Sequence, residues 1–555
     1  MIQGYTHPVV RNMKNCTLQL LIFILISAGL GSSIGSSANN VNFFSCISAG
    51  GVRNFTTPYA DQEYNHIFNL AAHNLRVVSA FSKPNAIVLP ETKEQLAATI
   101  VCCRKASLRF TFRSGGHNLE GISYSSMSHP FVMIDLLRLN KVAVDLVTKA
   151  AWVEGGATLG EVYYAVGTSS NSLGFTAGFC PAVGSGGHIG GGGFGFMSRK
   201  YGLASDNVVD AILIDANGKF LDRKSMGEDV FWAIRGGGAG SWGAVYSWKI
   251  TLVDVPETVT VLQLTRNGSS REAAKLLNKW QWVAPDLEDE FTLMVSVTAN
   301  SGTSVVTNYK GLYLGPQSSA IASINCVYPE LEVVEGECKE MKWVESNVYL
   351  ADFTKSFTVD ALKDRFAASD QKIYFKWKGD YVKKRISVEG IEGMLEILIE
   401  EPHGEFQLVP FGGMMARTSS DATPYPHREG NLYSIGYLVT WNEHENVRSD
   451  AYLNWIHRVY KYMTPHFSMG PRTAYVNEMD LDFGVMDWGN LSISADEQVE
   501  LGRVWGEKYF LRNYDRLVRA KTAVDPHNVF RHQQSIPPRQ DQGLFTDEVP
   551  LIPNY

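Results

Sequence analysis

Short apolar runs separated by polar turns predict that strands and helices alternate between residues 86 and 251. Strands are predicted at 131–135, 142–144, 151–153, 211–214 and 219–221. Asn217 and Gly218 join the last two of these strands and form a typical hairpin turn. Thr158 and Glu161 have the spacing of a capping box, so a helix is predicted over 159–166. The mixture indicates an α+β region.

Longer strand patterns and amphipathic helices follow between about 256 and 480. Strands are predicted at 259–264, 291–297 and 432–440, and helices at 271–282 and 388–401. This combination is typical of a second α+β region with an antiparallel sheet. The C-terminal tail is predicted to be helical from Ser494 to Tyr514 and irregular beyond it, where prolines occur at 526, 537 and 538.

The N-terminal segment has the pattern of a secretory signal. Arg11 and Lys14 precede an apolar run over 18–26, and small and polar residues follow as far as Ala38. A bilayer span needs about 20 apolar residues. We therefore predict a signal peptide over 1–38, with a signal anchor as the alternative, and no stable membrane insertion of the mature chain. The expected location is the secretory pathway, ending in the vacuole, an ER-derived vesicle or the extracellular space.

Charge and composition exclude several classes of protein. The 555 residues include 50 Lys and Arg against 57 Asp and Glu, a net charge of −7. A nucleic-acid-binding protein usually carries a basic surplus, so no nucleic-acid partner is expected. Because 45% of the residues are apolar and only 19% are charged, disordered and fibrous classes are also excluded.

The cysteines argue for an oxidised protein rather than a metal site. Seven are present, and Cys16 lies in the signal segment. The others are Cys46, Cys102, Cys103, Cys180, Cys326 and Cys338. No C-x-x-C, H-E-x-x-H or EF-hand pattern occurs, so no metal ion is predicted. Glycosylation is predicted at three sequons, Asn54, Asn267 and Asn490.

Clusters of glycine carry the chemical signal. In the segment 184–195, GSGGHIGGGGFG, eight of twelve residues are glycine, and a helix or strand interior loses about 1 kcal/mol for each. We predict a loop whose backbone N–H groups converge on an anion such as a pyrophosphate. The formal dinucleotide motif at 190–195 is a weak match, because no strand precedes it. Further clusters at 113–117 and 235–243 indicate one extended ligand, with flexible surface loops as the alternative.

Several segments resemble the plant berberine-bridge-enzyme-like flavoproteins. They are RSGGH at 113–117, GFCPAVGSGGHIGGGGFG at 178–195, RKYGLASDNVVDA at 199–211, MGEDVFWAIRGGG at 226–238 and DPHNVFRHQQSIP at 525–537. The resemblance implies the α+β, two-domain fold of the vanillyl-alcohol-oxidase group. An FAD-binding domain of PCMH type at 45–255 would be completed by a C-terminal segment at 481–540, before a tail at 541–555. A substrate-binding domain at 256–480 would hold an antiparallel sheet covered by helices.

The same resemblance implies FAD bonded covalently to both His117 and Cys180, and a disulfide between Cys46 and Cys102. Val183 falls where oxidases of this family carry a small residue beside the oxygen-reacting carbon of the flavin, so O2 is the expected acceptor, with a dehydrogenase as the alternative. The other residues expected at the cofactor are Arg113, Ser114, Gly115, Gly116, Asn118, Gly184, Gly186, Gly187, His188, Gly190, Gly193, Gly195, Asn513 and Tyr514.

The substrate side departs from the family pattern. Relatives commonly have an I-Q-Y strand and an A-Y-x-N-Y segment, whose glutamine or glutamate and second tyrosine line the cavity near the flavin. Here Gly436 stands between Ile435 and Tyr437, and Glu478 ends the second segment. Leu119 replaces the tyrosine that follows the flavin histidine, which makes that wall more apolar.

Glu478 is the candidate catalytic carboxylate. An enclosed carboxylate costs several kcal/mol unless it is paired, so it should hold a cation, accept a hydrogen bond, or act as a base with a raised pKa. Tyr475, Tyr437 and Tyr433 are the phenolic alternatives. A solvated carboxylate at the end of a strand is the structural alternative.

We therefore expect an FAD-linked oxidase, a monomer, that transfers a hydride from a small organic substrate to the flavin and then reduces O2 to hydrogen peroxide. An alkaloid-like amine is the favoured substrate, with iminium formation or oxidative cyclisation as the outcome. A carbohydrate or alcohol oxidase is the alternative within the family. A non-redox cyclase that retains structural FAD, or a storage-like glycoprotein, is the alternative outside redox chemistry.

Overall fold

The computed structural model describes residues 42–127, 130–300, 304–352, 358–366, 372–467, 470–489 and 492–539. The predicted signal peptide, the tail at 541–555 and the sequon at Asn490 lie outside these residues. Within the described ranges, no helix is both long enough and apolar enough to cross a bilayer.

The strands of the described residues are β1 (Phe55–Thr56), β2 (Ala86–Val88), β3 (Arg109–Arg113), β4 (Phe131–Asp135), β5 (Val142–Asp145), β6 (Ala150–Glu154), β7 (Leu173–Gly174), β8 (Val208–Ile214), β9 (Phe220–Leu221), β10 (Ala244–Thr251), β11 (Val253–Asp254), β12 (Val259–Gly268), β13 (Phe291–Asn300), β14 (Ser304–Tyr313), β15 (Cys338–Met341), β16 (Tyr374–Val382), β17 (Gly404–Pro410) and β18 (Tyr433–Trp441).

The α-helices are α1 (Phe43–Ala49), α2 (Asp61–Leu70), α3 (Leu75–Ala80), α4 (Lys93–Lys105), α5 (Leu159–Ser169), α6 (Ser185–Gly190), α7 (Ser198–Tyr201), α8 (Arg223–Met226), α9 (Glu228–Ile234), α10 (Ser270–Val283), α11 (Gln317–Val327), α12 (Trp343–Leu350), α13 (Val388–Ile399), α14 (Gly413–Arg417), α15 (Ser449–Met463), α16 (Ala495–Phe510) and α17 (Tyr514–Val524).

Two main sheets form the N-terminal region. The first has the order β1-β2-β4-β3, with β4 parallel to both β2 and β3. The second is antiparallel, in the order β5-β6-β10-β8-β9. The capping box of Thr158 and Glu161 begins α5, as predicted, and the disulfide between Cys46 and Cys102 links α1 to α4. The predicted strands and the disulfide are confirmed.

A seven-stranded antiparallel sheet forms the second region, in the order β15-β12-β14-β13-β17-β18-β16. On one face, apolar residues such as Val295, Phe406 and Tyr437 belong to a buried core that includes residues of α10, α13 and α15. Alternate positions such as Gln407 and Leu438 point to the other face, because successive side chains of a strand alternate, and these are half-buried. The expected antiparallel sheet covered by helices is confirmed.

The C-terminal tail packs back onto the N-terminal region. Trp505 of α16 and Leu517 of α17 share a buried core with Phe231 of α9. Lys521 is fully buried, pairs with Asp525 at 2.7 Å, and donates hydrogen bonds to the carbonyl oxygens of residues 241 and 530. These bonds attach the tail to the third glycine cluster.

Two local predictions are wrong. Residues 185–190 form the short helix α6 instead of a loop, because the backbone N–H groups of His188 and Gly191 donate i→i−4 hydrogen bonds to the carbonyl oxygens of Gly184 and Gly187. The tail beyond Tyr514 continues as α17 instead of becoming irregular. The signal for α17 was present in the sequence: Leu517, Val518 and Lys521 fall on one buried helical face.

Candidate active site

A cavity of about 320 Å³ lies where the glycine-rich segments meet the C-terminal part of the chain. Its walls come from the segments 110–118, 183–190, 238–245, 475–479 and 530–532. The structure therefore brings the three glycine clusters to one place, as their composition predicted, and adds two segments that glycine content could not indicate.

Glycine is required where two of these segments touch. A Cβ atom added to Gly115 would lie 2.3 Å from the backbone nitrogen of Gly184, and one added to Gly184 would lie 2.1 Å from Ser114 Oγ. Both distances are far shorter than van der Waals contact. A Cβ on Gly187 would meet no protein atom within 4 Å, although Gly187 lines the cavity. The wall at Gly187 is thus open for a ligand to approach the backbone.

His117 lies in this wall as a buried, neutral imidazole. Burial lowers its pKa to about 3, with a smaller contribution from His73, and its ring hydrogen-bonds the backbone of Ala182. The Nε2 atom is buried without a hydrogen-bond partner. The ring centroids of His73 and His117 are 4.5 Å apart. A neutral ring with an unpaired nitrogen is the form in which histidine acts as a nucleophile or ligand.

Cys180 lies on the opposite loop, three residues before Val183, which lines the cavity. Its side chain is exposed and forms no disulfide, but desolvation by the surrounding protein raises the pKa of the thiol. Backbone hydrogen bonds from residues 182 and 183 oppose the rise, and such bonds stabilise the thiolate, which is the nucleophilic form of cysteine.

These features fit FAD. The open backbone wall at Gly187 can receive a phosphate group closely, and the buried nitrogen of His117 that has no protein partner is available to a ligand in the cavity. The aromatic residues Trp242, Trp248 and Phe530 supply an apolar lining for the flat ring systems of the cofactor.

The predicted cofactor residues fall into two groups. Those that line the cavity are Ser114, Gly115, Gly116, His117, Asn118, Val183, Gly184, Gly186, Gly187, His188 and Gly190. Those that are not among the lining residues are Arg113, Cys180, Gly193, Gly195, Asn513 and Tyr514.

Most residues of the second group make buried contacts that hold the cavity-lining segments in place. Arg113 is buried and pairs with Asp135 at 2.5 Å at the ends of two neighbouring strands. Gly195 allows close packing, because a Cβ there would lie 1.7 Å from a carbonyl oxygen. Asn513 donates to three carbonyl oxygens of residues 420–424, and the hydroxyl of Tyr514 donates to the carbonyl of Val499. Asn513 and Tyr514 therefore fix the tail in place rather than line the cavity.

Sequence reasoning missed part of the lining. The residues without a prediction include Trp242, Trp248, Phe530, Arg531 and His532. The last three lie in the 525–537 segment, which carried the resemblance but no assigned role. Their position depends on Lys521, whose ammonium group bonds the carbonyl of Phe530. The same ammonium group bonds the carbonyl of Ser241, 280 positions away, and a contact over such a distance leaves no periodic signal.

Glu478 lies beside the cavity, between Asn477 and Met479, which both line it. Its side chain is half-buried and turns towards the seven-stranded sheet, where Oε2 accepts a hydrogen bond of 2.9 Å from Trp377 Nε1. Desolvation raises its pKa to about 7, and the Trp377 bond opposes the rise. Within the described residues, no Lys or Arg forms an ion pair with it.

Tyr475 is the phenol that reaches the cavity. Its hydroxyl oxygen accepts hydrogen bonds from the backbone N–H of Gly193 at 2.9 Å and from Asn477 Nδ2 at 2.8 Å. A tyrosine hydroxyl has one proton to donate. Because its oxygen already accepts two bonds, the O–H of Tyr475 is oriented to act as a donor.

Tyr433 and Tyr437 do not share this site. They alternate with Gly436 along β18 and point into the helix-covered core, where the Tyr433 hydroxyl bonds Gln281 and the Tyr437 ring packs on Phe406. Successive side chains of a strand point to opposite faces. Positions 433 and 437 therefore share one face of β18, and position 436 lies on the other. Both phenols therefore lie in the core of the sheet and outside the lining of the cavity.

Comparisons with known proteins agree with this arrangement. Family models described as "FAD binding domain" and "Berberine and berberine like" match residues 84–223 and 474–537. The chain is 49% identical to berberine bridge enzyme-like D-2 of Nicotiana tabacum, over 95% of this chain and 97% of that protein. It is 50% identical to reticuline oxidase of Eschscholzia californica, over 95% and 96%. The solved berberine bridge enzyme from Eschscholzia californica superposes with a TM-score of 0.87 at 50% identity, covering 90% of this chain and 100% of that chain.

Proposed function

This chain belongs to the berberine bridge enzyme-like family of FAD-binding oxidoreductases, and on that premise we propose that it oxidises an alkaloid-like amine with dioxygen as the electron acceptor. Hydride removal from the carbon beside the nitrogen gives an iminium product, which can also close a ring.

His117 and Cys180 would attach the cofactor from two loops that touch at Gly115 and Gly184. The bound FAD would supply the acceptor for the hydride of the substrate carbon, and dioxygen would take up the electrons and become hydrogen peroxide. The protein supplies the walls: the open backbone at Gly187 on one side and the aromatic lining on the other.

The surroundings of the Glu478 carboxylate are the main support for an amine substrate. Glu478 is a half-buried carboxylate whose pKa is raised to about 7 and which, among the described residues, accepts a hydrogen bond from the neutral indole N–H of Trp377. A carboxylate in such surroundings is stabilised most by a cationic partner. An ammonium group of the substrate would provide this charge, whereas the hydroxyl groups of a sugar would not.

A cluster of aromatic rings lies within electrostatic reach of the same carboxylate. We call Phe194, Tyr381, Phe411, Tyr425 and Tyr475 the aromatic group; neighbouring ring centroids are 5.0–6.4 Å apart. The charge of Glu478 contributes to the raised pKa values of its three tyrosines, so they lie within electrostatic reach of the carboxylate. Faces of aromatic rings attract cations. The aromatic group and Glu478 therefore favour the same kind of substrate.

Glu478 also has the proton affinity that amine oxidation needs. An ammonium ion cannot release a hydride from its neighbouring carbon until the nitrogen loses a proton and regains its lone pair. A carboxylate with a pKa of about 7 can bind the ammonium and then accept that proton near neutral pH. The O–H of Tyr475 would orient the substrate beside the flavin.

An anaerobic titration tests this function. A panel of secondary and tertiary benzylic amines should bleach the oxidised-flavin absorbance of the purified holoprotein, and admission of air should restore the colour and release hydrogen peroxide. Aldose sugars and primary alcohols serve as the comparison panel. Bleaching by the sugars or alcohols alone would support the carbohydrate or alcohol oxidase instead, and conversion of a substrate without bleaching would support the non-redox cyclase.

Val183 is proposed to control the reaction with oxygen. It lines the cavity three residues after Cys180, so a larger side chain there would narrow the approach to the flavin. Val183→Leu should slow reoxidation of the reduced flavin by at least tenfold and leave its reduction by substrate within about twofold. Stopped-flow spectroscopy separates the two half-reactions. Equal slowing of both, or of neither, would show that position 183 does not control oxygen access.

Passage through the secretory pathway remains part of the proposal. The Cys46–Cys102 disulfide is of the kind that persists in oxidising compartments. Among the described sequons, Asn267 is exposed and Asn54 is half-buried. Both observations support a glycosylated protein of the vacuole, an ER-derived vesicle or the extracellular space.

A further inference from the structure

Two glycines face each other beneath Glu478. Gly379 of β16 and Gly436 of β18 are direct cross-strand partners, so their missing side chains leave one gap on the half-buried face of the sheet. Strand interiors disfavour glycine, and a pair of them usually marks a place where another group approaches the backbone closely.

The indole of Trp377 fills this gap. A Cβ on Gly436 would lie 2.0 Å from Cζ2 and 2.3 Å from Cη2 of Trp377, so the six-membered ring rests directly on the Gly436 backbone. A Cβ on Gly379 would lie 2.6 Å from Oε2 of Glu478 and 3.5 Å from Nε1 of Trp377. The N–H edge of the indole and the carboxylate therefore meet above Gly379.

The two partners of this hydrogen bond are fixed by one set of buried ion pairs. Lys376 and Lys378 flank Trp377 and point to the opposite side of β16, where they contact the Asp480 carboxylate at 2.7 and 2.6 Å. Asp480 lies two residues after Glu478. Both lysines and Asp480 are at most 3% exposed. The sheet strand that carries Trp377 and the turn that carries Glu478 are thus held together on the face away from the substrate.

We propose that Trp377 is a positioning residue for Glu478, and that the Gly379–Gly436 pair exists to seat its indole. The glycine at position 436 and the carboxylate at position 478, which both depart from the family pattern, are then linked, because the Trp377 indole contacts both of them. The indole occupies the space of the missing strand side chain and directs the relocated carboxylate with a single N–H. The positioning role of Trp377 deepens the proposed function, because it names the group that orients Glu478. The role depends on the proposed amine oxidation only in the experiments that measure turnover.

The test removes the N–H and keeps the ring. In Trp377→Phe, the aromatic ring still covers Gly436, but the Glu478 carboxylate loses its donor. Because that donor favours the ionised form, its loss should raise the pKa of Glu478 further, by about one unit. Infrared difference spectroscopy over a pH titration measures this in the resting holoprotein, and the carboxyl band is assigned by its disappearance in Glu478→Gln.

A second variant reaches the same hydrogen bond from the opposite side. Gly436→Ala should push the indole out of its seat and raise the pKa of Glu478 in the same direction, without changing Trp377 itself. Trp282→Phe is the matched control, because its indole is 56% exposed and stacks on Arg385 instead. The control should leave the titration of the band unchanged.

The outcomes separate this proposal from the proposed function. If Trp377→Phe and Gly436→Ala titrate like the parent protein, Trp377 does not position Glu478, whatever the substrate is. If both shift the titration but no amine bleaches the flavin, the positioning holds and the amine oxidase does not. With a turned-over amine, the acid limb of the kcat/KM profile should move to higher pH with the infrared shift, while the flavin content stays constant.

Discussion

Replacing both His117 and Cys180 with alanine should release all of the flavin when the protein is precipitated with acid, whereas each single replacement should leave flavin attached through the other residue. The two side chains lie on separate loops that touch at Gly115 and Gly184, so either attachment is geometrically independent of the other. A covalent bond survives denaturation, but the backbone contacts of the cavity do not. The measurement is the visible absorbance of the acid pellet and of the supernatant.

Matched controls make this result specific. His188 also lines the cavity, is neutral because burial lowers its pKa to about 4, and has a buried Nε2 without a partner. The histidine environment alone therefore does not distinguish it from His117, and His188→Ala tests the assignment directly. Cys326→Ala removes an exposed free thiol elsewhere. Both control variants should keep coloured pellets. If the variant that lacks His117 and Cys180 kept its colour and His188→Ala lost it, the histidine that binds the flavin would be His188 instead.

The cofactor side was predictable because its signals are local. A glycine excess over 184–195 and the His117 and Cys180 segments mark backbone that must approach a ligand closely, and the structure places most of these residues around one cavity. The error at α6 has a physical reason: a short helical turn needs little helix propensity when neighbouring segments enclose it. Similarly, the prolines at 526, 537 and 538 break helical structure only beyond α17, and the buried face of α17 at Leu517 and Val518 stabilises a helix up to Val524.

The substrate side was less predictable because its contacts join distant parts of the chain. The sequence identified Gly436 and Glu478 as unusual, but Trp377, which connects them, lies about 60 residues before the first and 100 before the second. Nothing in its local pattern separates it from an ordinary strand aromatic. Tyr433 and Tyr437 were open to correction from the sequence alone, since strand alternation turns them away from the face of Gly436.

Replacing Glu478 with glutamine should remove most activity towards an amine while leaving the flavin in place. Glutamine keeps the shape and can still accept the N–H of Trp377, but it carries no charge and binds a proton only weakly. If the carboxylate binds the ammonium group, KM should rise by about tenfold or more, because a hydrogen bond to a charged group is worth roughly 1.5–3 kcal/mol. If it also accepts the proton, kcat should fall by ~10²-fold.

The pH dependence follows from the raised pKa of about 7. Below that value the carboxyl group is neutral, and above it the group is ionised. Binding of an ammonium substrate should therefore be strong above pH 7 and be lost as the pH falls through it, in the parent protein only. The kcat/KM profile of Glu478→Gln should lack this acid limb.

The ionised form of Glu478, which favours substrate binding, should lower the free energy of unfolding. Because the folded-state pKa of Glu478 lies above its ordinary value of 4.5, folding disfavours the ionised form. The resulting penalty is absent at pH 4 and below, and develops as the pH rises towards and beyond 7. Glu478→Gln should therefore raise the Tm at pH 8 relative to the parent, with a smaller difference at pH 5.

Glu405→Gln is the matched control. Glu405 lies on β17 on the same half-buried face of the sheet, burial raises its pKa as well, and it accepts a hydrogen bond of 2.9 Å from Gln407. Loss of a buried carboxylate charge is common to both variants, but only Glu478 adjoins the cofactor cavity. Normal kinetics in Glu405→Gln together with the losses in Glu478→Gln would assign the effect to the site. Unchanged kinetics in Glu478→Gln on an amine that bleaches the flavin would show that the carboxylate takes no part in the reaction, and the amine would then have to be recognised by the aromatic group alone.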